Sequence, residues 1–400
     1  MSGTIIDYLK KTKKVTFEMS PFNEVDSLIL SQFSYLKFEG KVPGLGQREN
    51  AVTLSDIAAL DSYDSLYEDE RYRKNNMALF EGMVKSERFN KIKFHSYISI
   101  IDYDKESQFA AIVADLPDGT SYVAFRGTDE NLVGWKEDFN MSLFKPIPGQ
   151  IMSVDYLTDV AAYLPEYFRV GGHSKGGNLA VFSAMYCHES IKDRIYEIYN
   201  HDGPGFRNEL MDEAGYQAIR GKIRMTVPHS SLIGMLLVNF DNYRVVESKM
   251  PGISGILQHD PYSWKVKGMD FVITDELSQM SAIKDRSINE LVMGLDDAQI
   301  NMFLDATNDI MEATGVNDLN ELMANWRVVI KRVSNAMKEM DEETKDILVT
   351  IFQTLLEIAD TNTRAEAEEK INEIKEALAE HKTRVEKIKN NLLKDKNEKK

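Results

Sequence analysis

The sequence is poor in cysteine: one residue in 400, Cys187, so no disulfide can form within the chain. Lying in a largely apolar helical stretch, Cys187 reads as a small buried hydrophobe. Positive charge is in deficit, 48 Lys and Arg against 64 Asp and Glu, and the net charge of -16 argues against a nucleic-acid partner. No window reaches the ~18 apolar residues of a membrane span, and "SLIGMLLVNF" (231–240) is far too short. The N-terminal thirty residues lack the apolar core of a signal peptide. Together these absences set the expectation of a soluble, cytoplasmic protein. A 43% hydrophobic content is enough for a sizeable core, which excludes disorder as the dominant state.

From about Phe22 to Thr274, strand-like and helix-like stretches alternate. "KFHSYISIIDY", "FAAIVADL" and "SYVAFRG" are rich in β-branched and aromatic residues, and the last two are parted by the turn-forming "LPDGTS". A helical stripe in "SVDYLTDVAAYLPEY", capped by Ser153, leads into the strand "YFRV". Then come the helix "NLAVFSAMYCHE", the strand "IYEIYN", a helix at "NELMDEAGYQAI" and the strands "KIRMTV" and "YRVVES". This order predicts an α/β domain over 1–277 with a mostly parallel central sheet. Glycine and proline almost vanish beyond Ser278, so 278–400 is predicted to be helical. Ala367, Ile371, Ile374, Leu378, His381, Val385, Ile388 and Leu392 follow steps of three and four. That seam predicts a coiled-coil-like helix, with homo-oligomerisation through the C-terminal helices as its consequence. His381 on the seam reads as a polar residue that fixes register rather than a metal ligand, and the lysine-rich end reads as a solvated tail.

Chemistry concentrates at "YFRVGGHSKGGNLAVFSAMY". Gly172-His173-Ser174-Lys175-Gly176 fits G-x-S-x-G, the nucleophile elbow in which a strand turns sharply into a helix and lifts a serine clear. The pentapeptide alone is weak, since common residues produce it in roughly one chain in ten of this length. Its setting between an apolar strand and an amphipathic helix is the context that the motif requires. A serine hydroxyl needs a base, and seven histidines compete. His173 leaves the elbow in another direction, His95 precedes the core, His188 ends the helix and His381 belongs to the tail. In one chain order of such triads the acid and then the histidine follow the serine. That order selects His259 in "GILQHDPYSW", with His229 as its rival. For the acid, Asp202 in "IYNHDGPGF" ends the strand beside the nucleophile strand. Asp241, Glu247 and Asp260 are alternatives, and a turn-making aspartate before Gly-Pro is the bland reading of Asp202. Oxyanion donors are expected at the backbone N–H of Lys175 and at Thr128, just past "FRG".

With these pieces assembled, the chain resembles the class 3 lipase branch of the α/β-hydrolases, and more closely a bacterial family of lipase-like proteins. "VAFRGTDENLVGWKEDF" is similar to the lipase segment in which F-R-G-[ST] supplies the oxyanion donor and W-x-x-D braces it. The resemblance thus implies Thr128 as oxyanion residue, with Trp135 and Asp138 as supports. "GGHSKGGNLA" is similar to G-H-S-L-G-G-A, and "QHDPYSW" to the late D-H-x-x-Y segment. "SPFNEVDSLILSQFSYLKF" and "HDGPGF" resemble stretches of the bacterial family, so the likeness runs from about Phe17 to Val272. Two departures stand out. The position matching the lipase acid in "PHSSLIG" is Ser231, which moves the expected acid one strand earlier, to Asp202. Lys175 replaces an apolar residue, so its cation either favours a polar or anionic substrate or points to solvent.

Two function classes follow. The first is a serine hydrolase of carboxylic esters, esterase or lipase-like, needing no cofactor or metal and acting on a small-molecule ester or lipid through Ser174, His259 and Asp202. "SLIGMLLVNF" and "MPGISGIL" then line an acyl pocket, form a lid, or belong to the core. The second is a hydrolase-fold scaffold with a vestigial site, its C-terminal helices recruiting a partner.

Overall fold

The computed structural model describes residues 2–61, 63–67, 72–102, 107–128, 146–206, 208–211, 213–231, 233–237, 242–250 and 258–274. The helical region expected over 278–400, its seam with His381 and the oligomer inferred from it lie outside the described residues, as do Trp135, Asp138 and Asp241.

Eight strands order the core: β1 (Val52–Thr53), β2 (Lys93–Asp102), β3 (Ser107–Asp115), β4 (Ser121–Phe125), β5 (Phe168–His173), β6 (Ile195–His201), β7 (Ile223–Pro228) and β8 (Tyr243–Val246). They pair in that sequence, and Ile273–Thr274 closes the far edge against β8. The fold is α/β, but the sheet is mixed rather than mostly parallel. Ladders from β4 to β8 are parallel, whereas β1 to β4 and the last edge pair are antiparallel. Connection length decides the difference between the β3–β4 hairpin and the parallel ladders that follow. β3 and β4 are joined by the tight turn at Leu116–Thr120, where Leu116 N–H donates to the Thr120 carbonyl at 2.8 Å and Gly119 takes a positive φ of 83°. So short a link permits only antiparallel pairing, and from β4 onward the links are long enough to cross over.

Six helices matter here: α1 (Ile5–Lys11), α2 (Glu24–Phe33), α3 (Leu54–Ala58), α4 (Arg73–Val84), α5 (Pro148–Ala161) and α6 (Lys175–Tyr186). Side chains alternating along the strands split the core in two. Tyr122, Ala124 and Tyr199 pack with residues of α1 to α4, whereas Val123, Phe125, Val170 and Ile198 pack with those of α5 and α6. Helix α5 begins five residues before the expected Ser153 cap, because Pro148 occupies its first turn, where a missing N–H costs nothing. Ser153 is instead buried, its hydroxyl donating to the Gln150 carbonyl at 2.7 Å.

Helix α2 is fixed by charge as well as by packing. Asn23 caps it, its side chain accepting from Val25 and Asp26 N–H while the Asp26 carboxylate accepts from Asn23 N–H. Asp26 also pairs with Arg88, Nε to Oδ1 at 2.8 Å and Nη2 to Oδ2 at 2.5 Å, and both side chains are wholly buried. The Tyr8 hydroxyl adds a bond of 2.8 Å to Oδ1, and the other guanidinium hydrogens reach the carbonyls of Thr16, Ser20 and Pro21. Burial pushes the Asp26 carboxyl up, and the bonds and charge of Arg88 oppose that rise. Further along α2, Ser27 Oγ lies 2.8 Å from the Tyr122 hydroxyl and 2.9 Å from His201 Nε2, and Ser31 Oγ lies 2.9 Å from the same Tyr122.

Arg88→Met leaves a buried, uncompensated carboxylate, so it is expected to cost about 3–5 kcal/mol, read from the urea unfolding midpoint. An unchanged midpoint would show that the pair contributes nothing. Burial also depresses His201 to about 3. Below the ordinary histidine value of about 6.5, the unfolded chain therefore binds a proton that the folded chain refuses, and stability falls with pH. Between pH 7 and 5 the wild-type protein should lose about 2 kcal/mol more than His201→Asn. Parallel pH dependences for the two would remove His201 as the source.

Candidate active site

Ser174 stands where β5 passes into α6, with φ 58° and ψ -135°. A positive φ in a residue bearing a Cβ is strained, and hydrogen bonds on both sides hold it. Its N–H donates to the His201 carbonyl at 2.9 Å, and its carbonyl accepts from Gly177 N–H at 2.9 Å. The glycines of G-x-S-x-G are required by crowding. A methyl on Gly176 would lie 2.1 Å from the Phe125 carbonyl oxygen of β4, and one on Gly172 would lie 2.3 Å from the Gly176 carbonyl carbon. Strand, neighbouring strand and helix interlock there through bare backbone.

The register Gly172↔Asn200, His173↔His201 brings the end of β6 alongside the elbow. Asp202, the next residue, also has a positive φ, 52°, and its N–H donates to the Thr226 carbonyl of β7 at 2.8 Å. The following loop is tied to the nucleophile helix: Asn178 of α6 donates to the carbonyls of Pro204 and Gly205, both at 3.1 Å, and accepts from Gln150 of α5 at 2.9 Å. Asp202 is fully buried. Its Oδ2 lies 2.6 Å from His259 Nδ1. Its Oδ1 accepts from the Ser231 hydroxyl at 2.5 Å and from Gly234 N–H at 3.1 Å. Burial pushes the carboxyl well up, while the Ser231 and Gly234 donors pull it down. In its ionised form the carboxylate only accepts, which holds the hydrogen on Nδ1 of His259 and leaves Nε2 without one.

His259 is 21% exposed and lies against the neighbour of the nucleophile. Its ring centroid is 4.5 Å from that of His173, and His173 Nε2 donates to the His259 carbonyl at 3.0 Å. Burial and the nearby His259 ring hold His173 well below the ordinary histidine range, so it stays neutral. The histidine segment is braced on both flanks. Trp264 Nε1 donates to the Gln258 carbonyl at 2.9 Å, and Gln258 Oε1 accepts from Ser230 N–H at 2.8 Å. Among the alternative acids, Glu247 pairs with Lys265 at 2.8 Å and Asp260 caps the short turn at Pro261–Ser263.

Thr128 follows β4 on the other side of Ser174. Its Oγ1 is buried and has no hydrogen-bond partner among the described residues. Lys175 N–H opens α6 beside the serine. The Lys175 ammonium does not point to solvent, which corrects that expectation: it is buried, with Nζ donating to the Gln108 carbonyl of β3 at 3.1 Å. Ser231, at the position matching the lipase acid, hydrogen-bonds the aspartate on the neighbouring strand. Its role had one signal in the sequence, the missing carboxylate in "PHSSLIG". Gly234 in the same segment had none, because the contact is made by its backbone. Among the described residues no group of three His, Cys, Asp or Glu side chains is placed to hold a metal ion, and no helix is long and apolar enough to cross a membrane.

A family model described as Mbeg1-like matches residues 83–309, which include every residue of this constellation. Among solved structures the chain is similar to one described as "Crystal structure of M37 lipase", at 14% identity and a TM-score of 0.33, covering 54% of this chain and 70% of that one. No curated protein matches.

Ser231→Ala removes one of the two donors that favour the charged form of Asp202. Ionisation of the buried carboxyl then becomes harder, and the acid limb of any His259-dependent pH–rate profile should move to higher pH with the plateau retained. A limb that stays in place would separate Ser231 from Asp202 ionisation.

Proposed function

We propose that this chain, which belongs to the Mbeg1-like family, is a serine hydrolase of the α/β-hydrolase type that cleaves carboxylic esters through an acyl-enzyme. The observation that carries the reading is the 2.6 Å contact between His259 Nδ1 and a buried Asp202, just past the end of the strand next to a strained, glycine-bracketed serine. An aspartate kept from water and given two further donors has one evident task, to hold an imidazole in one tautomer and stabilise its protonated form.

In this mechanism Ser174 Oγ attacks the ester carbonyl carbon while His259 Nε2 takes its proton. The Asp202 carboxylate steadies the resulting imidazolium through Nδ1–H. Charge gathering on the carbonyl oxygen is met by the N–H of Lys175 and by the N–H and hydroxyl of Thr128. On collapse the C–O bond to the alcohol breaks, and His259 returns the proton to the leaving oxygen. Water, deprotonated by the same histidine, then attacks the acyl-serine and releases the acid. Trp135 and Asp138 act in this reading as braces for the Thr128 segment. The substrate class is a small-molecule ester or lipid.

The full-length protein is expected to react with a fluorophosphonate probe at one serine, and Ser174→Ala to abolish the labelling. Ester turnover should fall by about 10⁶-fold in that variant. If the wild-type chain does not label, or if Ser174→Ala labels equally, the enzyme reading is lost and a scaffold role takes its place.

A further inference from the structure

We infer that His173, the residue before the nucleophile, is a positioning residue for the base, tying the main chain of His259 to the strand that carries Ser174; the inference rests on the serine-hydrolase reading above. His259 comes from the chain beyond β8, whereas Ser174 ends β5, so no local stretch of backbone joins the two. His173 bridges them. Its Nε2 lies 3.0 Å from the His259 carbonyl oxygen, a contact across 86 positions of the chain. A carbonyl oxygen can only accept, so the hydrogen of the neutral His173 ring sits on Nε2 and Nδ1 is bare. The Tyr35 hydroxyl lies 3.5 Å from that Nδ1, on the opposite side of the ring.

Asp202 alone does not locate an imidazole. Its contact at Nδ1 sets the tautomer, but one hydrogen bond is a pivot about which a ring can swing. His173 adds two constraints, one on the main chain and one on the ring face, since the two ring centroids are 4.5 Å apart with their planes 31° from parallel. Trp264 completes the frame. Its indole donates to the Gln258 carbonyl at 2.9 Å and stands edge-on to His173, with centroids 6.2 Å apart at 74°. The successive carbonyls of Gln258 and His259 are thus each engaged by a ring N–H, but the Trp264 bond spans six residues and shapes only its own segment. The His173 bond refers that segment to β5. A histidine suits the position because burial keeps its ring uncharged, and a cation there would repel the imidazolium that forms on His259 during reaction. Phenylalanine would pack without donating, and lysine would bring the charge.

The test compares wild-type protein with His173→Leu, which fills the space but cannot donate, and His173→Gln, which keeps an N–H near the place of Nε2. Active sites are counted by end-point titration with a fluorophosphonate, and turnover of an activated ester is expressed per titrated site, so that any unfolded fraction drops out. Expected for His173→Leu is a loss of about 10- to 100-fold in kcat per site with KM within about twofold, the behaviour of a displaced base. His173→Gln should recover to within about fivefold of wild type. A packing role predicts the same turnover for both variants, so equal values, or a His173→Leu kcat within about twofold of wild type, overturn the inference. A second measurement needs no variant. In the nitrogen NMR spectrum of isotope-labelled wild-type protein at neutral pH, His173 should be uncharged with its hydrogen on Nε2. A hydrogen on Nδ1, or a doubly protonated ring, overturns the inference while leaving the serine-hydrolase reading in place. Failure of the wild-type protein to titrate overturns that reading, and the positioning role with it.

Discussion

The ion pair between Asp26 and Arg88 is the constraint on which the helical side of the molecule depends. Both groups are removed from water, so their charges are tolerable only together and only with every remaining donor satisfied. The bonds that satisfy them come from residues 16 to 21, and the N-terminal segment is therefore folded around the guanidinium. With α2 held in this way, its next turns present Ser27 and Ser31 to the hydroxyl of Tyr122 and the ring of His201. The segment just beyond it carries the Tyr35 hydroxyl to within 3.4 Å of the His173 carbonyl oxygen. A buried ion pair thus sets the placement of α2 across β4, β5 and β6.

The centre of the site is electrostatically sparse. His173 and His201 are kept neutral by burial, and the Lys175 ammonium is turned away to β3. Asp202 and His259 remain in contact at 2.6 Å. Strain is concentrated in the same place: Ser174 and Asp202 are two of the four non-glycine residues with positive φ among the described residues. Such conformations persist where surrounding contacts over-determine them, and the ladder from β4 to β7 with the Asn178 bonds supplies those contacts.

Much of this was legible in the sequence where local rules act. The strands stand out as runs of β-branched and aromatic residues, and Ser174, Asp202 and His259 were selected by chain order and by the ends of strands. The sheet is expected to be mostly parallel, although the "LPDGTS" turn that separates two strands forces that pair antiparallel. What could not be read is what depends on space. Ser153 looked like a cap because it preceded an apolar stripe, but Pro148 starts the helix earlier. Lys175 was judged by its neighbour in the chain, whereas its ammonium is placed by a carbonyl 67 residues away. His173 looked idle because its side chain leaves the elbow in another direction. Its bond to the His259 carbonyl exists only once the chain beyond β8 returns to β5.

Ser174 and Asp202 leave adjacent parallel strands, so their separation is governed by a single strand spacing of roughly 4.8 Å. His259 is different, because it hangs from the chain beyond β8, at the far side of the sheet. Loosening of the outer strands would leave serine and aspartate in place and carry the imidazole away.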